Sequence, residues 1–108
     1  RGIEWDLLPW CQEQRMPLMA YCPVGQGGKL LRHPVLAEIA GRHDATPARV
    51  ALAWLIHQPG VIAIPKAVEP LHIRDNAAAL HVRLTPEDIA ALDAAFPPPT
   101  RKRPLAMV

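Results

Sequence analysis

A chain of 108 residues, half of them apolar and one fifth charged, with a formal net charge of +2, has the composition of a globular protein. Its 12 Lys and Arg are spread along the sequence and only 5% of its residues are aromatic, which argues against a nucleic-acid-binding surface. No stretch approaches the roughly 18 apolar residues of a membrane span, the two cysteines make no disulfide framework, and the five histidines form no short-spaced pair of the kind that holds zinc. No nucleic-acid, membrane or metal partner is therefore expected. The chain opens with Arg1-Gly2-Ile3-Glu4 rather than a signal peptide, so the default expectation is a cytoplasmic location.

Short alternating elements without an internal repeat predict an α/β fold. A helix from about Trp5 to Gln14 leads through Arg15-Met16-Pro17 into a strand at Leu18 to Tyr21. Both cysteines are expected to be free thiols. Cys11 belongs on the apolar helix face, whereas Cys22 should be exposed at the carboxyl end of the strand. Cys22-Pro23-Val24-Gly25-Gln26-Gly27-Gly28 then forms a loop whose three glycines let backbone approach a ligand closely. His33-Pro34 opens a helix in which Val35, Leu36, Ile39 and Ala40 recur at helical spacing, with Gly41 as its expected end. Thr46-Pro47 caps the next helix, where Val50, Leu52, Ala53 and Trp54 are read as packing residues, and Pro59-Gly60 turns the chain into another strand. His33, His43 and His57 fall at helix ends, the last two at C-termini where positive charge suits the dipole.

Val61-Ile62-Ala63-Ile64 is a continuous apolar run, the pattern of a strand buried on both faces. Pro65 cannot donate to a sheet ladder and closes the strand, which places the Lys66 ammonium at its carboxyl end. Pro70 suits the first turn of a helix from about Leu71 to Leu80, whose unpaired N–H groups turn towards that same end. This is an anion site in outline, although a strand, a lysine and a helix in succession are common to all α/β proteins. Further on, Thr85-Pro86-Glu87-Asp88 reads as a capped helix start with Asp88 at the third helical position. Ile89, Leu92 and Phe96 mark a buried stripe ended by Pro97-Pro98-Pro99, and Arg101-Lys102-Arg103 is expected to be a solvated tail.

Three ordered motifs carry a family resemblance. Ile3-Glu4, Leu7-Leu8 and Cys11, followed by Met19-Ala20-Tyr21-Cys22-Pro23-Val24-Gly25, resemble the I-E-x-x-L-L-x-x-C and A-Y-S-P-L-G blocks of aldo-keto reductases. Thr46-Pro47-Ala48-Arg49-Val50-Ala51-Leu52-Ala53-Trp54 resembles that family's T-x-A-Q-V-A-L-R-W helix. Ile64-Pro65-Lys66 with Ile73 and Asn76 resembles its I/V-P-K and S-x-x-x-R-I-x-E-N pattern. The departures fall on cofactor contacts: Cys22 and Ala67 stand where the family usually has serine, His72 where it has arginine, and Asp75 where it has glutamate.

The resemblance implies the C-terminal portion of a (β/α)8 barrel: the last helix of unit six, units seven and eight, and the C-terminal extension. A whole barrel typically needs about 250 residues, so residues 1–108 are expected to be a partial domain lacking the N-terminal two thirds. The implied activity of the whole enzyme is reduction of aldehydes or ketones by hydride transfer from NADPH. By the same resemblance, Tyr21 stacks on the nicotinamide, and Cys22, Pro23, Val24 and Gly25 line the pyrophosphate. Lys66, Ala67, Val68, His72, Asp75 and Asn76 surround the adenosine end. An imidazole at position 72 lacks the fixed charge and bidentate fork of arginine. Arg74 lies two positions away, where a helix turns to a different face. The family's catalytic Asp, Tyr, Lys and His lie upstream of these motifs, so no catalytic residue is assigned within this chain. A barrel that only senses a nucleotide or binds a protein, and a gene fragment without independent function, are the alternative expectations.

Overall fold

Leu18–Tyr21 (β1) and Val61–Ile64 (β2) pair in parallel, with Leu18 opposite Val61 and Tyr21 opposite Ile64. The structure is a computed structural model that describes residues 1–26 and 28–107. Leu7–Glu13 (α1) precedes β1. Pro34–Arg42 (α2) and Pro47–Ile56 (α3) form the crossover to β2. Pro70–Ala78 (α4) and Pro86–Ala95 (α5) follow it. Parallel strands require such a crossover, because a tight hairpin can join only antiparallel ones.

Strand periodicity sorts the sheet into two unlike faces. Leu18, Ala20, Val61 and Ala63 are buried or half-buried on the face that α3 covers. Met19, Tyr21, Ile62 and Ile64 make the other face and remain 44–60% exposed. The expectation that Val61–Ile64 would be buried on both faces is therefore corrected. The apolar run has the composition of a doubly covered strand, but the described residues supply cover on one side only.

The core lies in the helical layer, where Leu36, Ile39 and Ala40 of α2 meet Val50 and Ala51 of α3 and Leu92 of α5. Trp54 packs as expected, with its ring 5.7 Å from that of Phe96 and 5.1 Å from the Arg1 guanidinium. Arg1 also donates to Asp93 and to the Phe96 carbonyl, each at 2.6 Å, and thereby joins the start of the chain to the end of α5. Cys11 is buried, Cys22 is exposed, and both thiols are free. Among the described residues, no helix is long and apolar enough to cross a membrane.

Proline occupies the first position of α2, α3, α4 and α5, where its missing N–H would have had no intrahelical partner. The C-terminal ends are less legible. α2 runs through Gly41 to Arg42 and closes at Asp44, whose φ of 49° is left-handed, with Ala45 N–H donating to the Ala40 carbonyl at 2.9 Å. Arg15, at φ 54°, closes α1 in the same way through a bond from Met16 N–H to the Cys11 carbonyl. Gly41 thus lies inside its helix, correcting the expected stop. Trp5 lies in a turn before α1, and Leu80 lies in a 3₁₀ turn, Ala79–His81, that follows α4.

One carboxylate fastens α5 to α2. Asp88 is 1% exposed and forms a capping box with Thr85: its backbone N–H donates to Thr85 Oγ1 at 3.2 Å, and its carboxylate accepts from Thr85 N–H at 3.0 Å. The Arg42 guanidinium and the His43 imidazole, both at the end of α2, reach the same carboxylate. Burial opposes the charge of Asp88. The hydrogen bonds from Arg42, the Thr85 backbone and His43 outweigh that penalty and hold its carboxyl well below the usual carboxylate range. The expected stripe of Ile89, Leu92 and Phe96 is accordingly shared: Leu92 is fully buried with Asp88 one turn before it, while Ile89 and Phe96 are half-buried.

Because the folded-state pKa of Asp88 is depressed, its stabilisation is complete above the ordinary value of 3.8 and is lost as pH falls below it through the folded value. Asp88→Ala is expected to destabilise by about 2–3 kcal/mol, through loss of a cap and of charge-assisted bonds. It should also flatten the acid limb of the stability profile, read from urea unfolding between about pH 1 and 5. The open sheet face generates a second prediction. The isolated 108-residue chain should self-associate in sedimentation velocity, and Met19→Lys with Ile62→Lys should reduce that association. A monomeric wild-type chain at micromolar concentration would contradict this expectation.

Candidate functional site

Because the two strands are parallel and in register, the segments that leave their carboxyl ends emerge side by side. Such ends are where open and closed α/β sheets place their ligands. Tyr21, the last residue of β1, is on the open face and 49% exposed. Cys22 follows in the left-handed region at φ 48°, which only a few per cent of non-glycine residues adopt. Gly25 N–H then donates to the Cys22 carbonyl at 2.8 Å, closing a tight turn through Pro23 and Val24. Gly25 has φ 73°, so any L side chain there would be strained although the space around it is open. Gly28 is likewise left-handed, while Gly27, the remaining glycine of this loop, lies outside the described residues.

Tyr21, Cys22, Pro23 and Gly25 line a cavity of about 500 Å³ together with Leu105 and Met107 of the C-terminal tail. The tail is held by an ion pair from Lys102 to Asp6 at 2.8 Å. Arg101, Lys102 and Arg103 are all exposed, as expected of a solvated tail, although Lys102 makes this one pair. This pair is exposed, so it guides the tail more than it stabilises the fold.

On the β2 side, Lys66 and Val68 are exposed and Ala67 is half-buried. The next element, α4, differs from its neighbours at its N-terminus. Side chains of His33, Thr46 and Thr85 cap α2, α3 and α5, but Glu69 makes no such bond to α4. Among the described residues, the first-turn N–H groups of α4 have no side-chain acceptor, and they lie close in sequence to the Lys66 ammonium. Together these are a positive charge and outward donors at a strand's carboxyl end, an arrangement suited to a phosphate.

Alongside α4 runs a groove of about 680 Å³ whose lining includes Leu31, Pro47, Arg49, His72, Arg74 and Asp75. Asp75 does not stand free. It accepts from Arg49 Nε at 2.6 Å and from Thr46 Oγ1 at 2.7 Å, which fastens α4 to the N-terminus of α3. The structure thus brings His72 and Asp75 to one groove, and Tyr21, Cys22, Pro23 and Gly25 to one cavity. Val24 packs against the helical core, and Lys66, Ala67, Val68 and Asn76 line neither space. His72 and Arg74, two positions apart on α4, both border the groove. Sequence reasoning missed Arg49. Its signal was present as a charged residue three positions after the capping Thr46, but its partner lies 26 residues away. Among the described residues, no group of three His, Cys, Asp or Glu is placed to hold a metal.

Residues 3–96 match the model of the aldo/keto reductase family. Methylglyoxal reductase YeaE of Escherichia coli is 51% identical over 112 residues, covering all of this chain and 39% of that protein. Glyoxal reductase of Bacillus subtilis is 37% identical over 94 residues, covering 87% of this chain and 33% of that protein. A crystal structure of an aldo-keto reductase from Klebsiella pneumoniae in complex with NADPH superposes with a TM-score of 0.95 at 49% identity, covering all of this chain and 39% of that one. The chain therefore spans about two fifths of the length of its most similar relatives among these, and its α/β fold is that of part of their barrel. With its motifs, its parallel strand pair and these matches in agreement, the chain belongs to the aldo/keto reductase family.

Proposed function

We propose that residues 1–108 are the C-terminal part of an aldo-keto reductase domain, and that they supply the grip on NADPH in an enzyme that reduces small aldehydes or ketones. The observation that carries this reading is the adjacency of two unlike surfaces at the carboxyl ends of β1 and β2. One is an exposed tyrosine followed by a tight backbone turn, and the other is a lysine followed by an uncapped helix N-terminus. A dinucleotide needs both: a flat ring for its nicotinamide and cationic donors for its phosphates. The names of the relatives favour methylglyoxal, glyoxal or a similarly compact carbonyl compound as substrate.

In this reading, NADPH supplies the hydride when bound, and the protein sets orientation and electrostatics. Tyr21 packs against the nicotinamide from the open sheet face. The Cys22–Gly25 turn lines the pyrophosphate with backbone, its left-handed residues bending the chain away so that no side chain intrudes. Lys66 and the first turn of α4 hold the 2′-phosphate, with Ala67, Val68, His72, Asp75 and Asn76 around the adenosine. Leu105 and Met107, beside Tyr21, shape the substrate end of the same cavity. Protonation of the carbonyl oxygen needs a positioned acid, and the family's acid belongs to the upstream part of the barrel.

Lys66→Met in the full-length enzyme is expected to weaken NADPH binding about 10- to 100-fold and NADH binding much less, because a charge-assisted bond contributes about 1.5–3 kcal/mol. Dissociation constants for both cofactors test this, and equal losses would place Lys66 away from the 2′-phosphate. The 108-residue chain by itself is expected not to oxidise NADPH in the presence of methylglyoxal. Heat-labile turnover that follows this chain through purification would contradict that expectation.

A further inference from the structure

We infer that Arg49 is a specificity-determining residue for the adenosine end of the dinucleotide, its planar guanidinium held as one wall of the groove in which the purine packs. This rests on the reading above, that the β2 end and α4 hold the nucleotide, and it adds a residue at a position where the family motif carries glutamine.

Thr46, Arg49 and Asp75 form a closed ring of contacts. Arg49 Nε donates to Asp75 Oδ1 at 2.6 Å, Thr46 Oγ1 donates to Asp75 Oδ2 at 2.7 Å, and the same Thr46 oxygen accepts from Arg49 N–H at 3.2 Å. The ring fixes the guanidinium by its inner edge, so much of the rotamer freedom of a long cation is already lost before a ligand arrives. Among the described residues, its two terminal nitrogens make no hydrogen bond to protein, and the side chain keeps 31% of its surface exposed. The groove it borders has apolar surface from Leu31, Pro47 and Leu71, and further positive or ionisable groups from His72 and Arg74. A fixed planar cation beside apolar walls accepts an aromatic base on its face. Asp75 offsets the charge of Arg49, so what Arg49 offers is a flat surface and two outward donors rather than net charge. It should therefore act on the purine that NADPH and NADH share, whereas Lys66 acts on the 2′-phosphate that distinguishes them.

The test uses the full-length enzyme and dissociation constants for NADPH, NADH and reduced nicotinamide mononucleotide, which lacks adenosine. Arg49→Gln is expected to weaken both dinucleotides alike, about 5- to 20-fold, and to leave the mononucleotide unchanged. Arg49→Lys should recover little, because it restores charge without the plane. Asp75→Asn, which loosens the guanidinium without removing it, should show a smaller loss with the same pattern, and so provides a second reading if Arg49→Gln folds poorly. An equal loss for the mononucleotide, or full recovery with lysine, overturns the inference. So does unchanged dinucleotide binding in Arg49→Gln while Lys66→Met still separates NADPH from NADH. If Lys66→Met itself fails to separate the two, the underlying nucleotide reading falls as well.

Discussion

Everything that makes this chain a candidate cofactor-binding unit depends on one constraint, the parallel in-register pairing of β1 with β2. Parallel pairing forces the intervening chain to cross over, and α2 and α3 are that crossover. It also delivers both strand ends to the same edge, so that the Cys22–Gly25 turn and the segment from Pro65 to Val68 emerge together. A slip of β1 by one residue against β2 would turn Tyr21 from the open face towards the helices and bury the surface assigned to the nicotinamide.

Two carboxylates then fix the helices that flank this edge, and they do so by the same chemistry. Asp88 ties the start of α5 to the end of α2 through Arg42 and His43, while Asp75 ties α4 to the start of α3 through Thr46 and Arg49. Each takes hydrogen bonds from a helix end as well as from a cation, which is what makes burial of a carboxylate tolerable. The consequences differ with location. Asp88 is sealed in and serves the fold, whereas Asp75 borders an open groove, so the arginine it holds remains available to a ligand.

Much of the fold was legible because its signals are local. Helix starts announced themselves through Thr46-Pro47 and Thr85-Pro86, and both strands through short apolar runs bounded by proline or glycine. Helix ends were harder, since α2 runs past the Gly41 expected to end it and closes at a left-handed Asp44, and a left-handed Arg15 closes α1 without any glycine to announce it. The exposure of Ile62 and Ile64 was also hidden, because an apolar strand does not reveal how many of its faces the same chain covers. At the site, Tyr21, Cys22 and Gly25 line one cavity and His72 borders a separate groove beside α4. The Thr46–Arg49–Asp75 ring was invisible, as its members sit in separate motifs that only tertiary packing brings together.

The central claim is that the turn after β1 and the start of α4 act as one surface on one dinucleotide. Amide hydrogen exchange of the full-length enzyme with and without NADPH addresses it most directly. The account predicts that cofactor slows exchange at Val24 and Gly25 and, over the same concentration range, at Ala67, Val68, Leu71 and His72. Protection confined to one of these segments, or absent from both while NADPH is bound elsewhere, would contradict it.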